Sequence, residues 1–255
     1  MNIVIIGSGN IATHLAKVFY ATGSTIQQVY SRTLANAEAL ANVVISDYTN
    51  NLSNIILDAD LYVISVSDNA IQEVVNNLNI SIQGIVIHTS GATDLNVLER
   101  FDNFGVIYPP QSITKNIKTD LSLIPFGVEA NSAKNEEVLF ELIKSIAPLS
   151  FPCNSSQRLA LHLSAVIANN FSNALFQMAK DILDNANLDF ELIKPIISET
   201  ANKVQTHSPE LTQTGPAVRE DYNVIQKHLQ FLSQSPEERK IYQILTDFII
   251  KRYHK

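Results

Sequence analysis

A chain of 255 residues with a formal charge of −7 and no Lys/Arg-rich run lacks the electrostatic footprint of a nucleic-acid binder. Hydrophobic residues make up 45% and charged residues 17%, the balance of an ordinary globular protein long enough for one large domain or two smaller ones. The single cysteine, Cys153, excludes an intramolecular disulfide and any multi-cysteine metal site, so no metal is expected and a reducing compartment is indicated.

The first residues read as a strand rather than as a signal peptide. Up to about residue 150, short β-rich runs alternate with helical patterns, the signature of an α/β fold with a doubly wound parallel sheet. Strands are predicted at 3–6, 26–30, 43–45, 61–66, 85–88, 106–108 and 126–129, and helices at 11–21, 34–41, 70–78, 95–100 and 133–146. Pro148 and Pro152 mark a change of character. Beyond residue 157 only helical periods remain, at 157–185, 190–206, 217–233 and 237–253. The expected organisation is an α/β domain over 1–150 followed by an all-α domain over 151–255. The longest apolar stretch, 159–179, is broken by His162, Asn169, Asn170, Asn173 and Gln177 and is too polar for a membrane span, so a cytoplasmic location is expected.

The stretch IVIIGSGNIATHLAKVF places Gly7-x-Gly9-x-x-Ala12 directly after the first strand and at the head of an amphipathic helix. Gly7 permits the tight turn, Gly9 lets the backbone approach a pyrophosphate, and Ala12 keeps the helix close to the strand. Gly7, Ser8, Gly9, Asn10 and Ile11 are therefore the expected dinucleotide loop. NAD-binding versions present an acid roughly 20 residues further on. Here no acidic side chain occurs between Gly9 and Asn36, and the second strand ends in Ser31, Arg32 and Thr33. A guanidinium fork with two hydroxyls fits a 2′-phosphate, so the expected cofactor is NADP(H).

Ligands in such sheets lie across the C-terminal strand ends. Val66 and Ser67 after one strand, and Ser90 after the next, are expected to reach the nicotinamide half, with Asp68 capping the helix that follows. His88 is either a ligand-facing donor or a satisfied histidine at a strand end.

Five stretches, IGSGNIATHLA, VYSRT, HTSGA, LHLSAVIANNF and TGPAVREDYNVIQKHL, resemble in order a group of NADP oxidoreductases whose Rossmann-like N-terminal half is followed by a helical domain of unknown function. More distantly the chain is similar to pyrroline-carboxylate reductases, deazaflavin-dependent NADP reductases, and hydroxyacid and 6-phosphogluconate dehydrogenases. The resemblance implies a C-terminal domain like that of 6-phosphogluconate dehydrogenase, a homodimer formed through it, and an active cleft between the domains. It implies no established substrate. The chain departs from the group at Ser67, where a proline is usual, and at Tyr108, where histidine usually precedes the proline. Arg219-Glu220-Asp221 stands for a more usual Arg-Gly-Asp. Val166 occupies the place of the hydroxyacid dehydrogenases' lysine, so their lysine-acid mechanism does not transfer.

His162, Asn169 and Asn173 fall on one stripe of an apolar helix. They form either a polar seam facing nicotinamide and substrate, with His162 as proton donor and Asn169 orienting the acceptor, or a hydrogen-bonded seam between helices or subunits. In TGPAVREDYNVIQKHL the Gly215-Pro216 turn reads as a helix start. Thr214, Arg219 and His228 are the expected substrate side, with Arg219 reinforcing an anion site. The expected activity is NADP(H)-dependent reduction of a C=O or C=N bond in a small anionic metabolite. The rival reading is a non-catalytic NADP(H)-binding sensor or interaction protein.

Overall fold

The computed structural model describes residues 1–114 and 120–254 and divides into two compact units, Met1–Asn170 and Phe171–Lys255. The first unit carries strands β1 (Asn2–Ile6), β2 (Thr25–Tyr30), β3 (Asp47–Thr49), β4 (Leu61–Ile64), β5 (Ile85–His88), β6 (Phe104–Tyr108), β7 (Gly127–Ala130) and β8 (Phe151–Pro152). Its helices are α1 (Asn10–Ala21), α2 (Leu34–Val44), α3 (Asp68–Asn77), α4 (Ala133–Lys144) and α5 (Ser155–Ala165).

The strands form one sheet in the order β3-β2-β1-β4-β5-β6-β7-β8. All neighbours pair in parallel except β6 with β7, which is antiparallel, so the expected doubly wound sheet is parallel-dominant with one antiparallel pairing. Alternate residues of each strand point to opposite faces. Ile3 and Ile5 pack with Leu15 and Phe19 of α1 and with Leu40 and Val44 of α2 on one face. Val4 and Ile6 pack with Ile71, Val74 and Val75 of α3 on the other. Two covered faces explain why the central strands read as unbroken apolar runs. The order reverses between β1 and β4, which opens a crevice at their C-terminal ends.

Residues 43–45, expected as a strand, belong elsewhere. Val44 continues the buried series Ala37, Leu40, Ala41 at helical spacing, α2 runs through it, and Ile45 turns left-handed at φ 53°. The β-branched run misled because the helix happens to end in two valines, Val43 exposed and Val44 buried; the strand follows at β3. The 95–100 pattern forms only a 3-10 turn, Leu95–Leu98, capped by Asp94.

The compact units divide between Asn170 and Phe171. Helix α5 belongs with the sheet, because its Arg158 pairs with Glu129 of β7 at 3.0 Å. The same guanidinium donates to the carbonyls of Ser90, Gly91 and Thr93. The α5 start is fixed by a reciprocal capping box between Asn154 and Gln157.

The second unit carries α6 (Ser172–Asn185), α7 (Lys194–Thr206), the short α8 (Pro209–Thr212), α9 (Tyr222–Phe231) and α10 (Pro236–Tyr253). Among its described residues only Ala217, Ile225, Leu229, Leu232 and Thr246 are buried. No helix among the described residues is long and apolar enough to cross a membrane.

Candidate active site

The β1–α1 turn is shaped by Gly7, whose φ of 128° an L side chain rarely adopts and whose added Cβ would sit 2.1 Å from the Ser65 carbonyl oxygen. The Gly7 amide donates to Tyr30 at 2.8 Å, which holds the turn between β2 and β4. Gly9 is the N-cap of α1, brings no side-chain cap, and would project a Cβ into open space. The head of α1 is thus left facing a cleft of about 490 Å³. Gly7, Ser8, Gly9, Asn10, Ile11, Ser31, Arg32, Thr33, Val66 and Ser67 all line it. Ser8 and Ser31 join across the cleft floor by a hydroxyl bond of 2.9 Å. Arg32 is exposed at the rim and has no hydrogen-bond or ion-pair partner among the described residues. Thr33 heads α2 without a side-chain cap bond. A bare helix N-terminus, a turn with no side chain in the way and a rim guanidinium suit a dinucleotide carrying an extra phosphate.

A second cavity, about 550 Å³, adjoins the first: Ile11, Asp68 and Thr89 line both. Its other walls are Ser90 and Gly91, the Tyr108-to-Ser112 turn after β6, and α5 with the π-helical turn Val166–Phe171 as far as Asn170. Ser90 therefore lies beyond the first cleft, and its hydroxyl accepts from the amides of Ala92 and Thr93. Tyr108 Oη and His162 Nδ1 are 3.0 Å apart, with the rings edge to face at 5.9 Å. Both rings rest on Gly91, where a Cβ would lie 2.7 Å from His162 Cγ and from Tyr108 Cζ. Burial raises the Tyr108 phenol above the usual tyrosine range; Asp68 adds to this and Arg158 opposes it.

His162 and Asn169, the residues expected to be catalytic, thus meet on one cavity wall. Asn170, on the π-helical turn, lines it too, and Asn173, the third member of their stripe, belongs to the second unit. His88 needs correction. It is 0% exposed, lines neither cavity, and accepts a bond from the Ser90 amide on Nδ1. Burial first, then the Arg158 guanidinium, pushes its pKa down to about 3, so it stays neutral as a strut beneath the 88–93 loop.

Thr214, Arg219 and His228, the expected substrate side, belong to the second unit. The helix expected to begin at Pro216 begins at Tyr222, with Asp221 as N-cap accepting from the Val224 amide at 3.2 Å. Residues 216–220 form turns, Glu220 is left-handed at φ 50°, and Arg219 is exposed ahead of the helix rather than in its first turn. His228 Nδ1 is engaged with Tyr242 Oη at 2.8 Å. Thr214 borders a separate apolar cavity of about 310 Å³ among α6 and α10 side chains.

Tyr108, Arg158 and Asn170 were not among the expected site residues. The departure from histidine at Tyr108 and a lone arginine inside an apolar helix were the available signals.

Residues 2–91 match the family described as NADP oxidoreductase, coenzyme F420-dependent, and residues 124–249 match a domain of unknown function, DUF2520. A protein from Bacteroides fragilis described as a putative NADP oxidoreductase is 37% identical, aligns over 98% of both chains and superposes with a TM-score of 0.87. An imine reductase from Myxococcus stipitatus in complex with NADP+ is 15% identical over 98% of this chain and 92% of its own, with a TM-score of 0.69. A 1-pyrroline-5-carboxylate reductase from Streptococcus pyogenes is 14% identical over 98% of each chain, with a TM-score of 0.63. These last two are alike in fold alone. No curated protein sequence matches the chain. With the fold, the dinucleotide cleft and full-length identity to the Bacteroides protein in agreement, the chain belongs to the NADP-dependent oxidoreductases that join an N-terminal Rossmann-like domain to the DUF2520 domain.

Proposed function

We propose that the protein reduces a C=N or C=O bond of a small polar metabolite in the cavity walled by Ser90, Tyr108, His162 and Asn169. The observation that carries this reading is the pair of cavities sharing Ile11, Asp68 and Thr89, which puts proton donors beside the end of the dinucleotide cleft. NADPH, when bound, supplies the hydride. The 7–11 backbone holds the pyrophosphate, and Ser31, Arg32 and Thr33 hold the 2′-phosphate. Val66 and Ser67 border the nicotinamide half. The proton comes from the wall that carries His162, and Asn169 orients the acceptor.

The neighbours named as imine and pyrroline-carboxylate reductases support the C=N form. So does the charge of the cavity, whose described lining includes Asp68 and no lysine or arginine. That lining favours an imine, an iminium or a neutral carbonyl over a carboxylate, and the expected anion preference finds no support in it.

The helical unit completes itself against a second copy. An 85-residue body with five buried described residues cannot be closed alone, and Leu192, Ile196, Leu211, Phe231, Ile244 and Phe248 are exposed apolar side chains. Sedimentation at micromolar concentration should give a dimer, and a monomer throughout would overturn this.

For the cofactor, Arg32→Ala should weaken NADPH binding about 10- to 100-fold, the loss of a charge-assisted bond, while leaving NADH affinity unchanged. Equal losses for both cofactors would remove Arg32 from phosphate recognition. NADPH oxidation against cyclic imines and keto acids tests the reaction class.

A further inference from the structure

Tyr108 and His162 are hydrogen-bonded on a cavity wall, but they are not equivalent. Tyr108 is 6% exposed and ends β6 on the wall of the cavity that shares Ile11, Asp68 and Thr89 with the dinucleotide cleft, whereas His162 on α5 is only partly buried. A phenol oxygen carries one proton and two acceptor sites, so it can accept from a neighbour while donating onward. An imidazole can pass a proton between its nitrogens by taking one up as it gives one away. Gly91, Asp68 and Arg158 surround the pair: the first seats both rings, and the two charged groups act on the phenol from the cavity and from α5.

We propose that the proton reaches the substrate from Tyr108 Oη, and that His162 acts behind it, donating Nδ1–H to the phenol oxygen and connecting it to solvent. Tyr108 is then the catalytic residue and His162 the positioning and resupplying one. The inference rests on the reductase reading above. In the step, hydride from the reduced nicotinamide forms the new C–H bond and the C=N or C=O π pair moves to the heteroatom. That atom takes the Tyr108 proton, the phenolate takes Nδ1–H from His162, and Nε2 takes a proton from water. The nicotinamide is oxidised, the substrate is reduced by two electrons, and one solvent proton is consumed. Because burial and Asp68 raise the phenol above its usual range, Tyr108 keeps its proton until the substrate atom becomes basic.

The test uses the full-length protein and its Tyr108→Phe and His162→Gln variants, checked for unchanged melting. Three quantities are read: NADPH affinity, NADPH oxidation with 2-methyl-1-pyrroline and with pyruvate, and ¹⁵N NMR shifts of the histidine ring nitrogens. Tyr108→Phe should lower turnover about 100-fold or more with NADPH affinity within two-fold. It should also move the His162 ring shifts, because Nδ1 loses its partner. His162→Gln should fall less far, since an amide N–H can still support the phenol but cannot resupply it; its solvent deuterium isotope effect should rise. Tyr108→Phe with full turnover overturns the proposal. If the unaltered protein binds NADPH but reduces neither probe, the reductase reading fails for those substrates. The pair is then judged by the NMR alone, and unmoved His162 shifts in Tyr108→Phe overturn it.

Discussion

Gly91→Ala probes the seating of the Tyr108–His162 pair without touching either ring. The glycine does not have a positive φ, so the backbone tolerates alanine and the cost is steric. The new Cβ would stand 2.7 Å from His162 Cγ and Nδ1 and 2.7 Å from Tyr108 Cζ. Carbon contacts are comfortable at about 3.5–4.0 Å, so the rings must retreat by about 1 Å. Tyr108 is held by its packing, which leaves His162 to swing away. A 3.0 Å bond lengthened by that much is no longer a hydrogen bond. Overpacking of this kind costs about 1–3 kcal/mol, which for a chain of this size lowers Tm by about 2–12 °C. Gly91 does not line the dinucleotide cleft, so NADPH affinity should hold while turnover drops. Thermal melting, NADPH titration and steady-state turnover on one preparation read all three effects. A variant that melts and turns over like the parent would refute the idea that the pair is seated on this residue.

Arg158→Met removes the buried partner of Glu129 and the donor to three carbonyls, and should cost about 3–5 kcal/mol by urea unfolding. Adding Glu129→Gln should recover part of that loss, and strictly additive losses would show that the two are not coupled. His88, with a folded pKa of about 3 against 6.5 unfolded, stays neutral where the unfolded chain takes up a proton. Its contribution is complete above pH 6.5 and is lost as pH falls from 6.5 towards 3. His88→Asn, whose amide oxygen can still accept from Ser90, should flatten the fall of Tm between pH 6.5 and 5; an identical slope would count against a neutral buried imidazole.

The cleft was readable in the sequence because its parts are local. Gly7, Gly9 and Arg32 lie at the ends of adjacent strands, and each shows its backbone freedom or its charge without a distant partner. The α/β pattern was readable for the same reason, since two-sided burial imposes continuous apolar strands. What could not be read depended on distant partners. Arg158 looked like one charge in an apolar helix until Glu129 and the 90–93 carbonyls surrounded it. That latch also explains why α5 belongs with the sheet and the boundary lies beyond it. His88 and the Pro216 start failed differently. Both had suitable local chemistry, but burial sealed the first, and Asp221 offered the second a stronger cap.

The two outer strands of the sheet carry a final consequence. One edge is the three-residue β3, opening with exposed Asp47, and the other is the two-residue β8, ending in Pro152, which has no N–H to offer. Neither presents the long, flat row of amides and carbonyls on which a foreign strand could build. The sheet is therefore closed to growth at both ends, and any association between copies is left to side chains on helices, where register and charge can restrict the choice of partner.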